Sequence, residues 1–123
     1  MAECSQPAEW TKTTWGVAPT ELFDLTTGRW TTTGSLNKVR MFHSANLLPD
    51  GEVLVTGGYS NQTGFLDSAE IYDPANGTWS ELSDGLLYVR EGHTGTTLQD
   101  GSVLIVGGYF GQAIGPAERY IPD

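Results

Sequence analysis

The chain has 123 residues, 38% of them hydrophobic, and fifteen Asp or Glu against six Lys or Arg leave a formal charge of −9. Nucleic acid and anionic membranes are held by concentrated positive charge, and no Lys/Arg cluster exists here, so both are excluded as expected partners. No apolar run reaches the roughly 18–20 residues of a membrane-spanning helix, and a single cysteine, Cys4, allows no intrachain disulfide framework.

In chain order, the start MAECSQPAEW lacks a basic head and an apolar core, so no signal peptide is expected within the chain and the compartment stays open. Residues 1–19 are expected to form an irregular leader or, through Trp10, Thr11, Thr13, Thr14 and Trp15, one degenerate strand. A rhythm then begins. Glu21-Leu22-Phe23-Asp24 and Gly28-Arg29-Trp30 predict two strands about a turn. His43 to Leu48 predicts a short strand, Asp50-Gly51 a tight turn, and Val53 to Thr56 a second strand. Gly57-Gly58 ends that strand where the backbone needs left-handed angles or a close neighbour. Ala69-Glu70-Ile71-Tyr72-Asp73-Pro74 predicts a third strand stopped by Pro, Asn76-Gly77 a hairpin turn, and Thr78-Trp79 the opening of a fourth.

The cycle restarts after fifty residues. His93 to Gly108, HTGTTLQDGSVLIVGG, matches His43 to Gly58, HSANLLPDGEVLVTGG, at eight of sixteen positions. Arg90 follows Arg40 and His93 follows His43 by fifty, Trp79 follows Trp30 by 49, and Glu118, in Ala117-Glu118-Arg119-Tyr120, follows Glu70 by 48. The second copy's VLIV is apolar on both faces of a strand, which requires cover on both sides. Four short strands per period of about fifty make one blade of a β-propeller. The fold is therefore expected to be all-β, with a half blade at 20–39, a full blade at 40–89 and an incomplete blade at 90–123, nine strands in total.

The pattern Arg40, His43, Leu-Pro-Asp-Gly at 48–51, Val-Leu-Val-Thr-Gly-Gly at 53–58, Ala-Glu-Ile-Tyr-Asp-Pro at 69–74 and Gly-Thr-Trp at 77–79 resembles the kelch repeat. It looks most like the form in bacterial kelch proteins and in galactose-oxidase-like propellers, and the likeness covers roughly residues 20–123. The resemblance implies a propeller and does not by itself imply an activity. Propellers close with about four to eight blades, roughly 200–400 residues at this period. Two-plus blades leave Val- and Leu-rich faces and strand edges open. Either the chain is a piece of a longer propeller, or copies assemble head to tail. In the second case two blades per chain and three chains would close a six-bladed ring, with residues 117–123 competing against 20–25 for one position.

His43 and His93 share one repeat phase, which favours a structural hydrogen bond to the adjoining loop; the alternative is a ring of channel-mouth histidines in an oligomer. Arg40 and Arg90, with Glu70 and Glu118, read as structural ion pairs. Tyr72 and Trp79, with Phe23 and Trp30, read as packing between blades, Tyr120 takes the place of Tyr72, and Gly57, Gly58, Gly107 and Gly108 are repeat glycines. The copper site of galactose-oxidase-like proteins, two Tyr, two His and a Cys crosslinked to one Tyr, maps onto no position, since Cys4 lies outside the repeats. Nucleophile elbows, phosphate-binding loops and paired zinc motifs are absent, so no catalysis, metal or cofactor is expected. Of two glycosylation sequons, Asn76-Gly77-Thr78 is explained by its turn, and Asn61-Gln62-Thr63 matters only in a secreted protein.

In a four-stranded antiparallel blade the 2–3 and 4–1 loops share one face, and the short 1–2 and 3–4 turns share the other. The long loops here run from Tyr59 to Ser68, Ser80 to Gly92 and Tyr109 to Pro116. They carry Tyr59, Asn61, Phe65 and Tyr88, then Tyr109, Phe110 and Gln112, the candidate contact residues. The expected function is a non-catalytic interaction or scaffold module, binding a protein partner or another copy of itself. Alternatives are a slice of a secreted galactose-oxidase-like or glycan-binding propeller, and an engineered or duplicated fragment that only self-assembles.

Overall fold

A computed structural model describes residues 2–4 and 18–122; Trp10, Thr11, Thr13, Thr14 and Trp15 lie outside the described residues. The described chain is all-β. The first sheet is β1 (Ala2–Cys4), β2 (Thr20–Asp24) and β3 (Arg29–Thr33), in that order. The second is β4 (Ser44–Leu47), β5 (Val53–Thr56), β8 (Ala69–Asp73) and β9 (Thr78–Glu81). The third is β10 (Thr94–Thr97), β11 (Val103–Val106) and β12 (Glu118–Tyr120), and the hairpin β6 (Tyr59–Ser60) and β7 (Gly64–Phe65) lies between β5 and β8.

Two features differ from the sequence reading. The blades hold ten strands among the described residues, because β1 pairs antiparallel with β2 through Ala2–Leu22, Glu3–Glu21 and Cys4–Thr20. It occupies the place that β5 takes beside β8, where Leu54, Val55 and Thr56 face Ile71, Glu70 and Ala69. The stretch expected as one long loop from Tyr59 also carries a small hairpin, with Tyr59 opposite Phe65 and Ser60 opposite Gly64. Gly64, at φ 84, supplies the left-handed residue that the bend requires.

The turns show why sequence and register agree. Leu48 donates its N–H to the Glu52 carbonyl (2.8 Å), and Gly51 (φ 92) donates to the Leu48 carbonyl (3.0 Å), so residues 49–51 form the loop around Asp50-Gly51. The Asp50 carboxylate accepts the Glu52 N–H at 2.9 Å. The Asn76-Gly77 pair ends a four-residue turn, 74–77, between the paired residues Asp73 and Thr78. There the Asp73 carboxylate accepts the Ala75 N–H (2.9 Å) and the Asn76 amide (2.8 Å). These side-chain bonds stand in for backbone pairing the turn cannot make.

The two-sided apolar strand is explained by two cores. Alternate residues of β5 point to opposite faces. Val53 and Val55 join Leu36, Tyr72 and Trp79, with Ala18 and Leu22, between the first and second sheets. Leu54 joins Leu48, Ala69, Val103 and Ile105 between the second and third. Leu54, Val103 and Ile105 are fully buried, and each isoleucine- or leucine-sized side chain contributes about 1.5–3 kcal/mol through burial. Backbone bonds also cross the sheet boundaries: Gly34 N–H to Gly77 O (3.0 Å), Gly58 N–H to Arg90 O (2.9 Å) and Gly92 N–H to Phe42 O (2.8 Å). The blades therefore stack closely.

Candidate functional site

The loop that leads into each of the second and third sheets is anchored by one arginine–glutamate pair. Arg40 donates to the carbonyls of Gly57 (2.8 Å) and Ser68 (3.1 Å), to the Ser68 hydroxyl (3.0 Å) and to Glu70 at 2.9 Å. Both side chains of this pair are completely buried. The other Glu70 oxygen accepts the N–H and side-chain amide of Asn37 (2.7 and 3.0 Å), and the shared oxygen accepts the Lys38 N–H (3.1 Å). Fifty residues on, Arg90 donates to the carbonyls of Gly107 and Pro116 and to Glu118 (2.8, 2.8 and 2.9 Å). Glu118 in turn accepts the N–H groups of Leu87 and Tyr88. A buried charge persists when it is paired and well hydrogen-bonded, and in both pairs the terminal guanidinium nitrogens and the carboxylate oxygens carry these bonds. Their geometry fixes the strand-four-to-strand-one loops in place and leaves these four charges no room for a ligand.

Around the arginines, Tyr72 packs on Trp79 with ring centroids 5.1 Å apart and donates to or accepts from Thr33 Oγ1 at 2.7 Å. Phe23 and Trp30 form the same pair at 5.0 Å in the first sheet, but Trp30 is 50% exposed. Tyr120 lies against the core between the second and third sheets. His93 Nε2 is 3.0 Å from Thr56 Oγ1 on the neighbouring sheet, and Thr56 also meets Ser44 at 3.0 Å, so the contact is to a strand of the preceding blade rather than to the adjoining loop.

The two histidines give a pH prediction. Burial, then the Arg40 charge, lowers the His43 pKa to about 4, and burial followed by Arg90 lowers that of His93. The folded state thus resists a proton that the unfolded chain accepts near pH 6.5. Stability is full above pH 6.5 and is lost as pH falls toward 4. Urea midpoints measured at neutral pH and near pH 4.5 should drop for the native chain by the equivalent of about 2 kcal/mol more than for His43→Gln. Equal drops would contradict the reading.

On the loop face, four of the seven candidate contact residues come together. Phe65 touches Tyr59 and Phe110 edge-on, each at 5.1 Å, and lies 6.2 Å from Tyr109, so the cluster bridges the second and third blades. Tyr109 and Phe110 are about half exposed, at 48% and 50%. Gln112 is exposed and its carbonyl accepts the Phe110 N–H (2.9 Å), while Asn61 is exposed at the tip of the β6–β7 hairpin. Tyr88 lies apart, with the Arg90 guanidinium 5.8 Å above its ring. Beside the cluster an open recess of about 440 Å³ is lined by Phe42, Glu91, Gly92, Gly108 and Tyr109. Phe42 and Glu91 were not among the sequence candidates. Aligning the repeats supplies the signal, because Phe42 stands where the next copy has Gly92.

Among the described residues no group of three or more His, Cys, Asp or Glu could hold a metal ion, and no helix is long and apolar enough to cross a membrane. No curated protein matches the chain significantly. The profile described as the Kelch motif matches residues 43–86, which run from the start of β4 through β9 and so cover the whole four-stranded blade. Kelch repeats generally mediate protein interaction, and the motif suggests a module of that kind. Residues 43–86 thus match the Kelch motif, and the described residues are all-β, in antiparallel sheets of two to four strands consistent with partial kelch propeller blades.

Proposed function

We propose that the chain is a non-catalytic interaction module that binds a protein partner through its 2–3 and 4–1 loops, on a scaffold divided into blades at 20–39 (with β1 added to its sheet), 40–89 and 90–123. The observation that carries this reading is the aromatic cluster of Tyr59, Phe65, Tyr109 and Phe110, which joins loops of two blades and leaves Tyr109 and Phe110 half exposed. Rigid exposed aromatics on loops fixed from below make contact area at low entropic cost. A photo-crosslinking side chain at Phe110 should capture a protein partner from extract of the source cells, in a manner competed by unlabelled chain. The same group at exposed Ala75, on the opposite turn face, should not. Equal capture from both positions would overturn the loop-face reading.

A second reading concerns the ends of the stack, and it is supported by their likeness to the interior boundaries. The outer side of the first sheet presents Phe23 and Trp30, in register with the buried Tyr72 and Trp79, and Glu21, in register with Glu70. At the other end Val106 is 42% exposed. We infer that another blade covers these faces, supplied by a second copy arranged head to tail. β1 and β12 already fill strand positions at the two ends, so merging the two three-stranded sheets into one four-stranded blade requires displacing both of them, whereas stacking whole faces does not.

A further inference from the structure

We propose that the recess between Phe42, Tyr109 and Glu91 receives a cationic side chain, arginine or lysine, of a protein partner. The inference deepens the loop-face reading and rests on it.

The first observation is a backbone anomaly. Phe42 has φ 59, and among the described residues every other positive φ belongs to glycine. Its repeat equivalent is Gly92, at φ 65. The repeat position therefore demands a left-handed residue, which glycine adopts freely and a bulky aromatic does not. Burial does not repay the strain, since Phe42 is 59% exposed. A strained, exposed aromatic at the mouth of a recess is the kind of residue retained for contact rather than for folding.

The second observation is charge. Glu91 lines the same recess, is half-buried, and has no ion pair among the described residues. Asp67 and Asp84 are exposed on neighbouring loops of this face. The cations nearby are engaged: Lys38 lies 3.4 Å from Glu81, and Arg40 and Arg90 are buried against Glu70 and Glu118. Aromatic walls beside an uncompensated carboxylate attract a cation through both the ring quadrupole and the full charge. Glycines at 92 and 108 leave the floor without side chains, so a long flexible side chain can enter. The overall charge of −9 steers a basic partner toward the chain.

The test uses the full chain and three fluorescein-labelled, acetylated hexapeptides, of arginine, glutamate and asparagine, read by anisotropy at physiological ionic strength. The arginine peptide should bind, and both Phe42→Gly and Glu91→Gln should weaken it about tenfold. Glu52→Gln, which removes one charge on the opposite face, should change affinity by less than about twofold. Phe42→Gly should also keep or raise the thermal midpoint, because glycine relieves the strained φ; a packing residue would show the reverse. Arginine binding that Phe42→Gly leaves intact, or that Glu52→Gln weakens as much as Glu91→Gln, overturns the proposal. Binding of the asparagine or glutamate peptide in preference overturns the cation assignment while leaving the loop face as the contact surface. Absence of any binding overturns the cation site, and the crosslinking at Phe110 then decides the broader reading on its own.

Discussion

Glu70→Ala is expected to destabilise the chain by about 3–5 kcal/mol, among the largest effects of any single substitution. The side chain is fully buried and accepts from four donors: the Asn37 N–H, the Asn37 amide, the Lys38 N–H and the Arg40 guanidinium. Removing it leaves a buried guanidinium without its counter-charge and frees the loop that joins the first two blades. The net worth of the intact pair is a different quantity. Desolvation offsets most of the attraction, so the double replacement Arg40→Met with Glu70→Leu should recover only the part of the loss owed to the uncompensated charge. The Gly57 and Ser68 carbonyls and the Asn37 and Lys38 N–H groups still lose these partners. Urea unfolding of the single and double variants checks both statements. A loss below about 1 kcal/mol for Glu70→Ala would show that the network is solvent-relieved and not an anchor for that loop.

The second large effect separates two glycines that the sequence makes look alike. Gly57 and Gly107 share a repeat phase and left-handed backbones, with φ 62 and 76. A Cβ on Gly57 would lie 2.7 Å from the Arg90 carbonyl oxygen and 2.7 Å from His93, whereas a Cβ on Gly107 meets nothing within 4 Å. Gly107→Ala should therefore show the left-handed penalty alone, about 1–2 kcal/mol. Gly57→Ala adds displacement of a neighbouring backbone, about 1–3 kcal/mol more. Thermal midpoints of the two variants give the difference directly. If the two fall equally and both fall far, Gly107 is also packed against a blade in solution, which is evidence of cover on the third sheet.

Much of the scaffold was legible because the repeat carries its own check. Val53–Thr56 and Val103–Val106 are strands within the bounds read from their apolar runs, and Arg40 with Glu70 and Arg90 with Glu118 emerge as pairs because recurring opposite charges at one phase require a shared reason. What the sequence concealed follows from weaker signals. Ala2–Cys4 resembles no repeat element, and its strand is defined by pairing with Thr20–Leu22 rather than by its own pattern. The β6–β7 hairpin has only two residues per strand, too few for periodicity to register. Phe42 was hidden for a different reason. Local preference argues against a left-handed phenylalanine, and only comparison with Gly92 exposes the conflict. The joining of Tyr59 and Phe65 to Tyr109 and Phe110 depends on how closely blades stack, a tertiary distance that no single loop encodes.

Blade faces of this kind are covered within the chain at two boundaries, and the proposal is that another blade covers them at the ends. Solution mass by light scattering after size exclusion tests this most directly. A discrete assembly at a whole multiple of 13.3 kDa is expected, with a sharp thermal transition, and Trp30→Glu should shift it toward the single chain. A monodisperse 13.3 kDa species with an equally sharp transition would contradict the claim, because the exposed faces would then be stable in water without a partner.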